Sequence, residues 1–459
     1  MPTLKRLAAL LAAGTLALTG CSLEDAAAGD TVRVVIGYQS KTINTVTAGT
    51  LLRAQGYLEQ RLARLTDGGG PAYQVEWQDY DTGAPITAQM VAEKIDIGSM
   101  GDYPLLINGS RTQAGERSRT EFISVTGYNP KGALNMVVVP PDSPAAGLPD
   151  LAGQKVSASV GSAGHGTLVQ ALTRAGIDPV TGVEVLNQQP QVGASALESG
   201  QVSALSQFVA WPGLLVFQDK AKLLYDGAEL NVPTFHGVVA RADYTARHPE
   251  VVDAFLQAQL DATEFLWREP LEAARIVAEG SDLPQEVVYL YNGPGGTSFD
   301  TTLKPSLLGA FEDDVQYLES IGDFADLDTG AFADDRLIRA AFAARGQDYD
   351  AALADPGNHT SGSGTELWID GQDTTRPAAD PTELLRAVQA ARAQGDTIRA
   401  AYVTDSELGT RWFADKAVWL RDGDTYLAFT TEAAAGRYRH AHPGARPVGY
   451  DQAVAEVRS

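Results

Sequence analysis

The apolar residues alternate between short continuous runs and helical periodicities, which predicts an α/β fold. Residues 31–38 form a compact β-branched run typical of a buried parallel strand. Leucines at three-to-four spacing follow between residues 51 and 62, and residues 73–80 alternate with period two. A strand, a helix and a second strand at this spacing predict a βαβ unit within an α/β sheet.

The same alternation continues through the first two thirds of the chain. Further strands are predicted over residues 95–98, 122–127, 134–139, 155–160, 183–186 and 237–240, and helices over residues 167–175 and 249–267. No repeat of 20 to 50 residues is visible, which argues against a solenoid or a propeller.

A second region begins after a change in composition. Residues 346–366 contain a Gly- and Ser-rich stretch without an apolar period, which predicts a linker. A helix over residues 381–393 and strands over 398–403, 416–420 and 426–429 then predict a separate small α+β module at residues 367–459.

The N-terminus predicts export. Lys5 and Arg6 precede an uncharged run over residues 7–18, which is too short to span a bilayer. With Leu18-Thr19-Gly20-Cys21 this stretch resembles a bacterial lipoprotein signal, which implies that residues 1–21 contain the signal peptide and that Cys21, the single cysteine, is acylated. An ordinary secretory peptide is the alternative. Residues 22–30 are expected to be a spacer, and the mature protein to be tethered to the outer face of the cell membrane.

Charge and missing motifs restrict the function. With 35 basic and 58 acidic residues the formal net charge is -23, which opposes nucleic-acid binding. The sequence contains no Walker loop, no His-Glu-x-x-His and no Gly-x-Ser-x-Gly elbow. We therefore expect no enzyme activity, no cofactor and no metal site.

Three small polar clusters follow predicted strands, at residues 39–42, 99–104 and 161–167. In open α/β sheets the ligand crevice lies outside the carboxyl ends of strands, so the three clusters are expected to converge there. The third cluster also opens a helix, whose free N–H groups, together with the hydroxyls of Ser162 and Thr167, suit an anionic oxygen.

Residues 31–345 resemble the substrate-binding proteins of nitrate/sulfonate/taurine ABC importers, a type II periplasmic-binding fold. The segments that carry this resemblance are Val34-Val-Ile-Gly-Tyr-Gln39, Asp81-Thr-Gly-Ala84, Asp96-Ile-Gly-Ser-Met-Gly-Asp-Tyr-Pro104, Leu148-Pro-Asp-Leu-Ala-Gly-Gln-Lys-Val156, the turn at 161–167 and, most specifically, residues 239–255.

The resemblance implies two α/β lobes joined by a hinge of two crossings. Lobe 1 would hold residues 31–127 and 236–345, and lobe 2 residues 128–235. Closure of the lobes would sequester a small solute, an organosulfonate or a related anionic or nitrogen-containing compound, and present it to a permease and its ATPase without changing it chemically. A monomer is expected.

Carried over position by position, the resemblance implies the ligand-binding residues Gln39, Thr42, Ser99, Asp102, Tyr103, Ser162, His165, Thr167, Trp211 and His236. Taurine binders carry an acid where Phe235 and His236 stand, and Asn135 occupies a second place where an acid is expected, which argues against taurine itself. Asp102 could instead form the turn that precedes a helix.

The C-terminal module resembles NosL-like lipoprotein domains, which are associated with copper delivery, through residues 401–404, 412–419, 426–429 and 447–453. No Met or Cys follows Met136, so the soft ligands that select Cu(I) are missing. Two alternatives to a sulfonate receptor stay open. One is a binding protein for a thiamine precursor, or a relative of the pyrimidine-precursor synthases, and the other is a metal-trafficking lipoprotein that acts through the module.

Overall fold

The computed structural model describes residues 31–113, 115, 117–320, 322, 324–355 and 364–458. The signal peptide, Cys21 and the spacer predicted from the sequence lie outside these residues. Within the described part of the chain, no helix is both long and apolar enough to cross a membrane.

The strands are, in chain order, β1 Thr31–Tyr38, β2 Ala72–Asp79, β3 Ile97–Gly101, β4 Thr120–Asn129, β5 Asn135–Val139, β6 Lys155–Ala158, β7 Glu184–Asn187, β8 Ala204–Phe208, β9 Lys222–Asp226, β10 Thr234–Arg241, β11 Ser298–Phe299, β12 Glu366–Ile369, β13 Arg376–Pro377, β14 Ile398–Thr404, β15 Arg411–Phe413, β16 Val418–Asp422, β17 Thr425–Phe429 and β18 Arg446–Val448. They form four sheets.

The α-helices are α1 Thr50–Gln55, α2 Tyr57–Asp67, α3 Gly83–Val91, α4 Asp102–Thr112, α5 Ala163–Arg174, α6 Pro190–Glu198, α7 Trp211–Phe217, α8 Ala242–Arg247, α9 Pro249–Arg268, α10 Pro270–Ser281, α11 Gln285–Asn292, α12 Pro305–Asp314, α13 Thr329–Phe332, α14 Arg336–Ala344, α15 Tyr349–Ala354, α16 Pro381–Gln394, α17 Glu432–Ala441 and α18 Tyr450–Glu456.

Two mixed sheets form the two lobes. The first lobe contains a six-stranded sheet in the order β11-β4-β10-β3-β1-β2, and the second a five-stranded sheet in the order β7-β6-β8-β5-β9. The chain leaves the first sheet after β4 and returns to it at β10. This double crossing confirms the two-lobed α/β fold expected from the sequence.

The strand directions explain how the two lobes are connected. β1 pairs in parallel with β2 and β3, as a βαβ unit requires, whereas the returning strand β10 is antiparallel to both β3 and β4. In the second lobe, β6 is parallel to β7 and β8, whereas β5 is antiparallel to β8 and β9. The polar strand ends of the two lobes therefore lie near the crossings.

The C-terminal residues form an α+β module with two small sheets, β13-β12-β14-β15 and β17-β16-β18. Helix α16 begins at the cap residue Asp380, whose carboxylate accepts the Glu383 backbone N–H at 2.9 Å. It ends at Gly395, whose φ of 79° lies in the left-handed region that glycine adopts at low cost. Leu384, Leu385 and Val388 of this helix are fully buried in the core of the module.

The structure corrects several sequence expectations. The predicted linker at residues 346–366 contains helix α15, and the helix expected between residues 51 and 62 is broken at Gly56, whose φ is 63°. Helix α5 starts at Ala163, four residues earlier than predicted. β15 and β18 were missed because three-residue strands are too short to show a period.

Candidate functional site

The predicted site residues lie together where the two lobes meet. We call this region the interlobe seam and define it as residues 39–44, 99–103, 162–167, 207–211 and 234–236. All of the predicted ligand-binding residues Gln39, Thr42, Ser99, Asp102, Tyr103, Ser162, His165, Thr167, Trp211 and His236 are buried there. Their roles in ligand binding stay predictions.

The first polar cluster is fixed by bonds within the first lobe. Gln39 follows β1 and donates from Nε2 to the Ser99 carbonyl oxygen at 3.0 Å. Its Oε1 accepts the Thr42 hydroxyl at 3.3 Å. The loop after β1 and the end of β3 are therefore held next to each other, as the parallel pairing of these strands requires.

Asp102 joins helix α4 to the second crossing. Its Oδ2 accepts the Thr234 hydroxyl at 2.6 Å and the Phe235 backbone N–H at 3.2 Å, and its Oδ1 accepts the Tyr103 backbone N–H at 2.9 Å. Burial raises the pKa of the Asp102 carboxyl, and these three donors oppose the rise. The carboxylate holds the hinge strand to the start of α4, a contact that the sequence did not predict.

The second lobe contributes the start of α5. Ser162 is the cap residue of this helix, and its hydroxyl oxygen accepts the His165 backbone N–H at 3.2 Å. The N–H groups of Ala163 and Gly164 precede the first intrahelical bond, so they are donors without a helical partner. Thr167, one turn further along, accepts an N–H from the Asn135 amide at 2.9 Å.

Helices α4 and α5 contact each other directly across the two lobes. Gln170 of α5 donates from Nε2 to the Tyr103 hydroxyl and to the Asp314 carboxylate, both at 2.7 Å. The Tyr103 ring packs on Gly166 so closely that a Cβ there would lie 2.1–2.2 Å from three ring carbons. The lobes are therefore in contact along the seam, in a closed arrangement.

Burial keeps the two seam histidines neutral. It lowers the pKa of His165 to about 4 and that of His236 to about 3, because the charged imidazolium loses its hydration. His236 Nδ1 lies 2.7 Å from the Asn44 amide nitrogen. Neither histidine supplies a permanent positive charge to the seam at neutral pH.

Lys41 is a charged residue of the site that its place in the sequence did not single out. Its Nζ lies 5.8 Å from the ring centroid of Trp211, so a cation of the first lobe faces an aromatic ring of the second. Within the described part of the chain no carboxylate lies within ion-pair distance of Lys41. The signal was present in the cluster at residues 39–42, but its pairing with Trp211 spans 170 positions and cannot be read from spacing.

Several polar atoms in the seam have no hydrogen-bond partner among the described residues. They are the Ser99 hydroxyl and the amide oxygens of Asn44 and Gln207, and the Asn135 amide oxygen beside the seam also lacks a partner. A buried polar group without a partner costs free energy, so these atoms are available to bond a further molecule in the seam. Among the described residues, no three His, Cys, Asp or Glu side chains are grouped to hold a metal ion.

The chain is similar in sequence to known proteins. Residues 122–273 match the family model described as NMT1/THI5 like. The chain is 25% identical over 279 residues to the taurine-binding periplasmic protein of Escherichia coli (strain K12), a match that covers 59% of this chain and 81% of that protein.

Solved structures of binding proteins share the fold. The alkanesulfonate-binding protein of Xanthomonas axonopodis pv. citri bound to MOPS superposes with a TM-score of 0.56 at 21% identity, over 66% of this chain and 98% of that chain. The periplasmic nitrate-binding protein of Synechocystis PCC 6803 superposes with a TM-score of 0.52 at 15% identity, over 73% of this chain and 93% of that chain. The resemblance to nitrate/sulfonate/taurine binding proteins inferred from the sequence is confirmed, whereas the NosL-like resemblance stays a prediction.

Proposed function

Because the chain is a relative of the sulfonate-, taurine- and nitrate-binding proteins and carries an NMT1/THI5-like segment, we propose that it is the solute-binding component of an ABC importer for organosulfonates. The observation that carries the proposal is the interlobe seam, where polar strand ends from both lobes are buried together and several of their atoms lack partners.

The chemistry of the seam suits a small organic anion. Hydroxyl groups and free helix N–H groups at the start of α5 donate to an anionic oxygen. Lys41 supplies the positive charge, and the Trp211 ring supplies an apolar face for a carbon chain. A sulfonate offers three acceptor oxygens on an apolar stem, which matches this combination of donors, charge and ring.

The same relatives support the cellular setting that we propose. The protein acts outside the cytoplasm and delivers its solute to a permease and its ATPase, with lobe 1 (residues 31–127 and 236–345) and lobe 2 (residues 128–235) closing around the solute. The sequence of residues 18–21 supports a lipid anchor on Cys21 at the outer face of the cell membrane.

A second ligand class is favoured by one specific observation. The amide oxygens of Asn44, Asn135 and Gln207 are acceptors, and the nearby carboxyls of Asp102 and Asp314 are buried. These groups suit a solute with N–H donors, such as an aminopyrimidine. This is the second candidate function, a binding protein for a pyrimidine precursor.

A thermal-shift panel separates the two. The mature chain is heated with ethanesulfonate, taurine, nitrate or an aminopyrimidine, each at a large excess. Binding to the native state alone adds about 2.7 kcal/mol at a hundredfold excess over Kd, so the true ligand class raises the melting temperature by several degrees. A shift with ethanesulfonate supports the sulfonate proposal, and a shift with the aminopyrimidine alone contradicts it.

Lys41→Met tests the role of the charge. Hydrogen bonds to charged groups contribute about 1.5–3 kcal/mol, so the ethanesulfonate Kd should rise about 10- to 150-fold. Lys94→Met, which removes the same charge from an exposed position on the same lobe, is the matched control and should leave Kd unchanged. Equal Kd values for Lys41→Met and the parent place the sulfonate elsewhere.

A further inference from the structure

The C-terminal module contacts both lobes, beside the crossings that connect them. Lys131, which lies between β4 and β5 on the first crossing, donates from Nζ to the Leu408 carbonyl of the module at 2.9 Å. A cavity of about 230 Å³ at the same place is lined by Ala133 and Ala228 of the second lobe, Thr297 of the first and Thr410 of the module. The module therefore adjoins the hinge.

Its contact with the first lobe is buried. The Arg411 guanidinium, which pairs with Glu366 of the module at 2.9 Å and lies over the module's own Tyr402 ring, also lies 4.7 Å from the ring centroid of Tyr289 of the first lobe. It also donates to the carbonyl oxygens of Tyr289 at 3.2 Å and Pro294 at 3.0 Å. Tyr289 belongs to α11, which packs on α10 of the first lobe, so this face moves with that lobe.

Its contact with the second lobe consists of two partly exposed ion pairs and one buried hydrogen bond. Lys416 pairs with Asp219 at 2.5 Å, and Arg437 pairs with Glu229 at 3.4 Å. The Thr430 hydroxyl lies 3.1 Å from the Asp226 carboxylate. The Asp219 side chain is 78% exposed, so its ion pair is readily broken and reformed in water.

One short strand joins the two sets of contacts. In β15, Arg411 contacts the first lobe, and Phe413, two residues later, packs on Phe217 of the second lobe with ring centroids 5.3 Å apart. The module can make its contacts with the first lobe and its contacts with the second lobe at the same time in one relative orientation of the lobes. Because the lobes touch along the seam in that orientation, a rotation that opens the seam must break one set.

We propose that the C-terminal module is an intramolecular clamp, which binds both lobes across the hinge and shifts their equilibrium toward the closed arrangement. Contacts made only in one of two conformations raise the population of that conformation. The ion pairs to the second lobe are partly exposed and weaker than the buried contacts with the first, so opening breaks them first and leaves the module attached to the first lobe.

The test measures the distance between the lobes without any solute. Val91 on α3 and Val192 on α6 are 43% and 55% exposed, and spin labels at Val91→Cys and Val192→Cys, in a chain that carries Cys21→Ser, report on the two lobes. The parent should give one narrow distance distribution. Lys416→Ala with Arg437→Ala, which removes both ion pairs to the second lobe, should add a second population at a different distance.

Two further variants keep the proposal falsifiable. Arg386→Ala with Arg392→Ala removes the same charge from pairs that stay within the module, and should leave the distribution narrow. Asp219→Lys should reproduce the second population by repelling Lys416, and Lys416→Asp added to it should restore the narrow distribution. A narrow distribution in the clamp variants, or an equally broad one in the control, overturns the proposal.

Discussion

The interlobe seam and the face between the module and the first lobe are both buried, but they differ in whether their charged and polar groups have partners. At the module, a guanidinium and a carboxylate pair directly between aromatic rings. In the seam, both histidines are neutral, the cation Lys41 faces a ring, and hydroxyl and amide groups lack partners. In the first arrangement the charge is neutralised within the protein, although the Arg411 Nε has no partner among the described residues, and this suits a permanent contact. The second leaves a cation and several acceptors for a molecule that binds and leaves.

The largest effect is expected from breaking the permanent contact. Arg411→Met leaves the Glu366 carboxylate buried without its countercharge, and breaking a buried ion pair costs about 3–5 kcal/mol. Calorimetry should show a melting temperature lowered by about ten degrees.

Arg386→Met is the matched control, because this arginine pairs with Glu383 at an exposed position of the module. Its melting temperature should stay close to that of the parent. A loss as large in Arg386→Met as in Arg411→Met would show that burial of the pair is not what matters.

Gly166→Ala should weaken binding more than it weakens the fold. The new methyl group would occupy the place of the Tyr103 ring, so the lobes could not approach as closely. Overpacking of about 1–3 kcal/mol predicts a Kd for ethanesulfonate raised about 5- to 150-fold, measured by titration calorimetry. Gly309→Ala, at an open helical position, should leave Kd unchanged.

Asp102→Asn tests whether Asp102 stabilises the hinge or binds the ligand. Its carboxylate accepts bonds from Thr234, Phe235 and Tyr103, and an amide nitrogen would face one of these donors. We expect a loss of about 1–3 kcal/mol in stability by chemical denaturation. Unchanged stability with lost affinity would instead support a direct role in ligand binding.

The smallest effect concerns the pH dependence of stability at Asp226, which contacts the module from the second lobe. Burial raises the pKa of Asp226 to about 7, so the folded state holds a proton that the unfolded chain releases near its ordinary pKa. The stability contributed by this group is therefore present at low pH and is lost as pH rises toward 7. Between about pH 6 and pH 8 the parent should lose about 1–2 kcal/mol more stability than Asp226→Asn. Parallel stability curves for the two proteins would contradict this pKa.

Part of the fold and part of the seam could be predicted from the sequence. The period of residues 31–38 and 249–267 predicted β1 and α9 almost to the residue. The strand-end clusters at residues 39–42, 99–104 and 161–167 predicted most of the residues that meet in the seam, whereas Trp211 and His236 were expected there from the family resemblance. Local pattern is sufficient there because the carboxyl ends of neighbouring strands lie at one edge of a sheet.

The contacts that the sequence did not predict join distant positions. Lys41 with Trp211, Tyr103 with Gln170 and Asp219 with Lys416 depend on how the lobes and the module pack. Packing is set by the summed fit of many surfaces, and no spacing within a single segment encodes it. The hydrogen bond from Thr234 to Asp102 could not be predicted for the same reason, since the two residues lie 132 positions apart.

The most direct test of the account is a crystal structure of the mature chain grown with ethanesulfonate. We expect the sulfonate group in the interlobe seam, within hydrogen-bond distance of the start of α5 and near Lys41 Nζ, with its carbon stem on the Trp211 ring. A sulfonate bound outside the seam, or a seam that stays unchanged and closed at saturating ethanesulfonate, would contradict the proposal that this region is the solute site.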